Sequence, residues 1–259
     1  MKDILKAMLD AIYGDGIIQD CITAISFKAD IFTGTINSIG TVVKPVAGVL
    51  VCIYFMIELM NKLTNDNFSS EQFIKMLIKL VFSIIMIENI PQWSIYLMNF
   101  STVFTDAIKG SIPGIASIDA SAIIDKFSFL ETLGALALML LPYAASFVVK
   151  IAVTFIGYGR AIEIGLRSAF APIGCADLVT GGTNSSGFRY IRRMLGIALQ
   201  GGVMIAVVIC SSTVITQVAM GGEIKPFDLI FIGKYFGCLG SMIGLLASSK
   251  QLAFELVGA

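Results

Sequence analysis

The sequence predicts an all-α, polytopic membrane protein, and three observations carry that prediction. Apolar residues make up 56% of the chain and charged residues only 14%, against about 45–50% and about 25% in an average soluble domain. Several apolar runs approach the ~20 residues that a helix needs to cross a bilayer. In the last two of those runs small residues recur at every fourth position, the spacing at which helix backbones approach closely in lipid. The formal net charge is zero, which argues against a generally basic nucleic-acid binder and leaves only local charge to interpret.

Residues 1–41 form an N-terminal amphipathic segment. Ile4, Leu5, Met8, Leu9 and Ile12, then Ile17, Ile18, Ile22 and Ile25, repeat with helical period, and Gly14 and Gly16 break the pattern. Two short helices are expected, lying on the outer membrane surface or packed on a neighbouring subunit. Acids at Asp3, Asp10, Asp15 and Asp20 interrupt any apolar core, so no cleaved signal peptide is expected.

Five spans follow. The first covers about 42–63, with Lys44 and Lys62 placed to snorkel. The second covers about 73–90 and stops before Pro91, which biases its neighbour away from helix; Trp93 and Tyr96 then serve as interfacial anchors. Residues 92–110 read as another amphipathic stretch and SIPGIASIDAS, from Ser111, as a loop. The third span, about 129–158, exceeds one crossing and carries Pro142 and Lys150, so it must tilt, kink or protrude. The fourth covers about 194–220 and aligns Ala198, Gly202, Ala206 and Cys210. The fifth covers about 227–248 and aligns Gly233, Gly237 and Ser241 beside Gly240, Gly244 and Ser248. Packing within one subunit is the preferred reading of these rows over a subunit interface. With no repeat or low-complexity linker, residues 1–259 form one integrated membrane domain.

Every arginine lies between Arg160 and Arg193. The positive-inside rule places that segment in the cytoplasm. Alternation then puts the loop at 64–72 and the C-terminal tail inside, and the N-terminus and residues 91–128 outside.

Catalysis finds no support. The chain has no histidine, so the usual triads are missing, and it shows no metalloprotease, phosphate-loop or nucleophile-elbow motif. No catalytic, cofactor-binding or metal-binding residue is expected, and energy for any transport must come from a partner or an ion gradient. Cys21, Cys52, Cys175, Cys210 and Cys238 are widely spaced and read as small packing residues.

Charges inside a membrane are functional candidates. Glu58 and Glu88 lie near span ends, where snorkelling accounts for them as well as function does. Lys150 and Lys234 lie deeper, and with Gln200 they are the candidate intramembrane polar residues; pairing with an acid or facing a water-filled passage would explain the lysines. Arg160, Glu163 and Arg167 are three and four apart, an interfacial row of alternating charge on a helix that Pro172 and Gly174 end. After the turn GGTNSSG, Arg189, Arg192 and Arg193 open the fourth span. They lack nearby acids in sequence, which makes them candidates for docking a partner as well as for positive-inside anchoring.

The stretch GYGRAIEIGLRSAFAPIGCADLVTGGTNSSGFRYIRRMLGIALQGG, Gly157 to Gly202, resembles the core signature of the TrbL-type (sixth VirB-type) polytopic subunit of type IV secretion and conjugation machines, in the version of Gram-positive conjugative elements. The resembling parts are the arginine-bearing helix of Arg160 to Arg167, Ala-Pro-Ile at Ala171 to Ile173, the glycine-rich turn of Gly181 to Gly187, and Arg192 to Gly201. The resemblance implies a non-enzymatic channel component of the cytoplasmic membrane. It would assemble with copies of itself, with other secretion subunits and with ATPases, and would meet transferred single-stranded DNA or protein transiently. Two other classes stay open: a self-contained small-solute transporter or channel using Lys150, Lys234 and Pro142, and a membrane scaffold or immunity protein.

Overall fold

A computed structural model describes residues 2–13, 15–26, 30–64, 69–110, 128–181 and 185–220 together with 229–259. Among them the chain is helical, with no strand. The helices are α1 Lys2–Tyr13, α2 Asp15–Ile25, α3 Asp30–Leu63, α4 Ser70–Gly110, α5 Phe129–Gly174, α6 Leu178–Gly181, α7 Ser186–Met220 and α8 Leu229–Val257. The predicted loop at 111–121, the middle of the glycine-rich turn and the start of the fifth span lie outside the described residues.

The helices are longer than the sequence pattern implied. α3 begins at Asp30, so the end of the predicted amphipathic segment belongs to it. α4 does not stop at Pro91; it takes in the second span, the proline and the whole stretch to Gly110. The proline costs one hydrogen bond, yet its ring is buried against Gly40 of α3, 3.6 Å from where a Cβ would sit. Asn89 and Ser94 donate to the carbonyls of Ile85 and Ile90 on either side, the kind of side-chain bonding that lets membrane helices carry proline. α5 likewise runs through Pro142 and joins the third span to the arginine-bearing helix in one continuous helix. Its 46 residues reach about 69 Å at 1.5 Å per residue, over twice the ~30 Å hydrocarbon core.

Three helices are long and apolar enough to cross a membrane among the described residues: Ile31–Leu63, Thr132–Gly174 and Ser186–Ile215. They hold the predicted span at 42–63 and most of those at 129–158 and 194–220. The spans at 73–90 and 227–248 fall on α4 and α8, outside those three. Burial follows the pattern of a protein solvated by lipid. Val42, Val49, Met56 and Met60 on α3, and Leu141, Val148, Phe155 and Ile162 on α5, are exposed, while Ser83, Ser94, Ser101, Ser146 and Ser168 are buried. Water would reverse that preference; lipid tails do not, because they are as apolar as leucine.

The chain divides into two compact units. One gathers Met1–Phe27, Phe104–Gly159 and Gly201–Lys250. Its core packs Leu5, Leu9 and Ile12 of α1 and Cys21, Ile22 and Ile25 of α2 with Met139, Val149 and Val153 of α5, Met204 and Ile205 of α7, and Tyr235 and Leu239 of α8. From the predicted apolar rows, Ile4 is exposed, and Leu5, Met8, Leu9 and Ile12 of α1 and Ile22 and Ile25 of α2 are buried in this chain. Gly157 makes that possible: a Cβ there would lie 2.6 Å from the carbonyl oxygen of Ala24, so only glycine lets the end of α2 press on α5.

The other unit gathers Lys28–Val103, Arg160–Gln200 and Gln251–Ala259. In it α3 and α4 run antiparallel, with ion pairs Lys44–Glu88 at 2.9 Å and Lys79–Glu58 at 3.9 Å. Ala47 and Val51 of α3 and Ile87 of α4 pack with Ala176, just before α6, and with Val179 inside it. Met86 and Ile90 meet Ala171, Cys175 and Met194.

Candidate functional site

The arginine segment forms one structure in the second unit, at the end of α5 and the start of α7. Cys175 N donates to Ala171 O at 3.0 Å and Leu178 N to Cys175 O at 3.2 Å, turning the chain from α5 into α6. Ser185 then caps α7, its Oγ accepting from Phe188 N at 3.2 Å. Asp177 adds a second cap: one carboxylate oxygen accepts from both the backbone N–H, at 3.1 Å, and the hydroxyl of Ser186. A carboxylate is favoured at a helix N-terminus because the backbone amides there are unsatisfied and the dipole is positive. Tyr190 lies across Gly174, where a Cβ would fall 2.7 Å from its ring, and its hydroxyl donates to Arg167 O at 2.5 Å. Burial pushes the Cys175 thiol beneath this turn up to about 12.

The predicted ion row divides. Arg167 donates through Nε and Nη2 to Glu163, both at 3.0 Å. Arg160 instead is buried, at 7% exposure, and works as a clamp. Its Nε donates to Ile197 O at 3.2 Å, and its Nη2 to Ala198 O at 3.2 Å and to Ser101 Oγ at 2.6 Å. Ser101 Oγ donates in turn to Ala198 O at 2.5 Å. Arg160 therefore joins α4, α5 and α7 through neutral acceptors, where the sequence spacing suggested an interfacial pair with Glu163. The physical reason is reach: a guanidinium fork spans two successive carbonyls of a facing helix.

Arg189, Arg192 and Arg193 are all exposed on the first turns of α7, and they too fall into two sets. Arg189 and Arg193, one turn apart, line an open cavity of about 420 Å³ with Tyr54, Ile173, Gly174, Asp177, Ser186 and Tyr190. Arg192 does not line it; its guanidinium sits 5.0 Å from the ring centroid of Phe188, a cation–π contact.

The other candidates lie elsewhere. Lys150 of α5 pairs with Asp20 of α2, so its acidic partner is 130 residues away in sequence. Lys234 is exposed on α8 and enters no ion pair among the described residues. Gln200 is buried, at 5% exposure. Of the small residues on α7, Ala198 is buried, Ala206 is half-buried and Cys210 exposed. Gly202 meets Phe104 of α4, which is packing within the chain. On α8, Gly233, Gly237, Gly240 and Gly244 have nothing within 4 Å of a Cβ position. Among the described residues, space is open beside those four glycines. Cys21 and Cys175 are buried as expected, but Cys52 and Cys210 are exposed.

Sequence reasoning missed Asp20, Ser101, Asp177 and Tyr190. Asp177 carried a faint signal, an acid nine residues before the serine it caps. Ser101 and Asp20 carried none, because their partners are distant in the chain.

The family model described as TrbL/VirB6 plasmid conjugal transfer like protein matches residues 19–172, more than half of the chain. The chain belongs to this family. The match begins in α2 and ends two residues before the end of α5, so it contains Arg160, Glu163 and Arg167 and only the first part of the 157–202 stretch. No curated protein and no solved structure matches the chain. Membership of the TrbL/VirB6-like family, with the lipid-facing apolar helices, makes this a multi-pass membrane protein tied to conjugal transfer and type IV secretion, with other subunits of such a system as its partners. The family is a structural membrane component rather than an enzyme class.

Proposed function

We propose that the chain is a channel or scaffold subunit of a type IV secretion apparatus for conjugative DNA transfer, seated in the bacterial cytoplasmic membrane. The observation that carries this reading is the family match over residues 19–172. Five helices cross the bilayer, with the N-terminus outside and the arginine segment and C-terminus in the cytoplasm, following the basic-residue rule. The start of α7 docks another subunit or an ATPase, with Arg192 foremost because it is exposed and outside the cavity. The open glycine rows of α8 support association with a second copy, since small residues let backbones approach in lipid. Transferred single-stranded DNA or protein passes through an assembly of several chains. The solute-transporter alternative loses support where Lys150, one of its three candidate positions, is paired with Asp20.

The test is an in-frame deletion complemented by wild type or by Arg192→Glu. Deletion is expected to abolish DNA transfer with solute uptake unchanged, and Arg192→Glu to restore protein level without full transfer. Transfer at the wild-type rate in the deletion strain refutes the reading. Solute flux by the purified chain alone in liposomes selects the transporter.

A further inference from the structure

The cavity at the start of α7 contains two guanidinium groups and one carboxylate. Arg189 and Arg193 stand one turn apart on the same helix, where like charges repel. Neither enters an ion pair among the described residues. One oxygen of Asp177 is already engaged in capping α7 through Ser186. The recess thus carries two arginines to one acid, and that acid already accepts from Ser186, so an anion there would relieve the repulsion between the arginines.

We propose that this cavity binds the phosphodiester headgroup of an anionic phospholipid. Guanidinium forks match phosphate oxygens bidentately, and basic pockets between membrane helices are suited to lipid headgroups. The remaining walls agree. Tyr54, Tyr190 and Ile173 are aromatic or apolar, and Leu166, Phe170 and Ile173 are exposed on the adjoining end of α5, where acyl chains can lie. Both α5 and α7 are long and apolar enough to cross a bilayer, so the recess between their ends lies within reach of headgroups. A nucleic-acid strand would require a basic groove following several phosphates with stacking aromatics; two arginines around one recess fit a single phosphate. The inference rests on the chain's being a membrane protein and is independent of its part in transfer.

The test uses the full chain reconstituted in vesicles of equimolar phosphatidylcholine and phosphatidylglycerol, extracted into detergent, with co-purifying lipid measured by native mass spectrometry. Wild type is expected to retain phosphatidylglycerol over phosphatidylcholine. The variant R189Q/R193Q is expected to lose that preference by about 25-fold, at roughly fivefold for each surface arginine, and R192Q to behave as wild type. If the double variant does not fold, judged by circular dichroism, R193Q alone is read at about fivefold. Equal phosphatidylglycerol retention by wild type and the cavity variants overturns the proposal. Displacement of the lipid by millimolar inorganic phosphate shows a free-phosphate site and overturns the lipid assignment, as does preferential capture of a short single-stranded DNA by the same two arginines.

Discussion

Replacing Gly157 by alanine tests the contact that seats the N-terminal helices. The added methyl would lie 2.6 Å from the Ala24 carbonyl oxygen and 3.3 Å from its carbon. Ordinary C···O approach is about 3.3 Å or more, so the end of α2 must retreat by about 0.7 Å. No rotamer relieves the clash, because the obstructing atoms are backbone. Overpacking of this kind costs about 1–3 kcal/mol, while alanine in a helix interior gains about 1 kcal/mol over glycine. Gly159, two positions along the same helix, has nothing within 4 Å of its Cβ position and shows the gain without the clash. The difference between Gly157→Ala and Gly159→Ala is therefore about 1–3 kcal/mol. Cys21 reports it directly: it is fully buried in the core that α2 closes, and burial, with Asp20 beside it, pushes its thiol up to about 11. Alkylation must wait for α2 to open, and opening should rise about 5- to 150-fold in Gly157→Ala relative to Gly159→Ala. The assay is maleimide labelling of the Cys21 peptide followed by mass spectrometry, beside thermal unfolding in detergent. Identical labelling and midpoints in the two variants would refute the packing argument.

Arg160→Lys keeps a positive charge but replaces the fork by a point donor, so at least one of the bonds to Ile197 O, Ala198 O and Ser101 Oγ is lost. Stability in detergent should fall by about 1.5–3 kcal/mol; an unchanged unfolding midpoint would show that the clamp contributes nothing. Cys175, raised to about 12 by burial, favours the neutral thiol in the fold, so at pH 8 its thiolate is rarer by about a thousandfold or more than in an unfolded chain. It should stay unlabelled by maleimide at pH 8 until denaturant is added, and labelling as fast as the exposed Cys52 would contradict the buried turn.

The helical class, the membrane setting and the family were legible because each rests on local sequence. Hydropathy and helical period need only neighbours along one chain, and the arginine-bearing motif is contiguous. Helix ends were less legible. Pro91 is a breaker by local rules, yet α4 continues because Gly40 receives the proline ring and side chains supply extra bonds to nearby carbonyls. The candidate site was legible in outline only: Arg167 and Glu163 pair at their four-residue spacing, whereas Arg160 leaves the row for partners on two other helices.

The sequence by itself determined which residues are apolar, which segments are helical and where the arginines concentrate, since these follow from residue chemistry and short-range geometry. Only the tertiary structure decided that Lys150 meets Asp20, that Arg160 is a buried clamp, and that Arg189 and Arg193 share a cavity while Arg192 stands outside it. Those outcomes depend on which helix faces come together, and side chains brought together by packing can lie 130 residues apart.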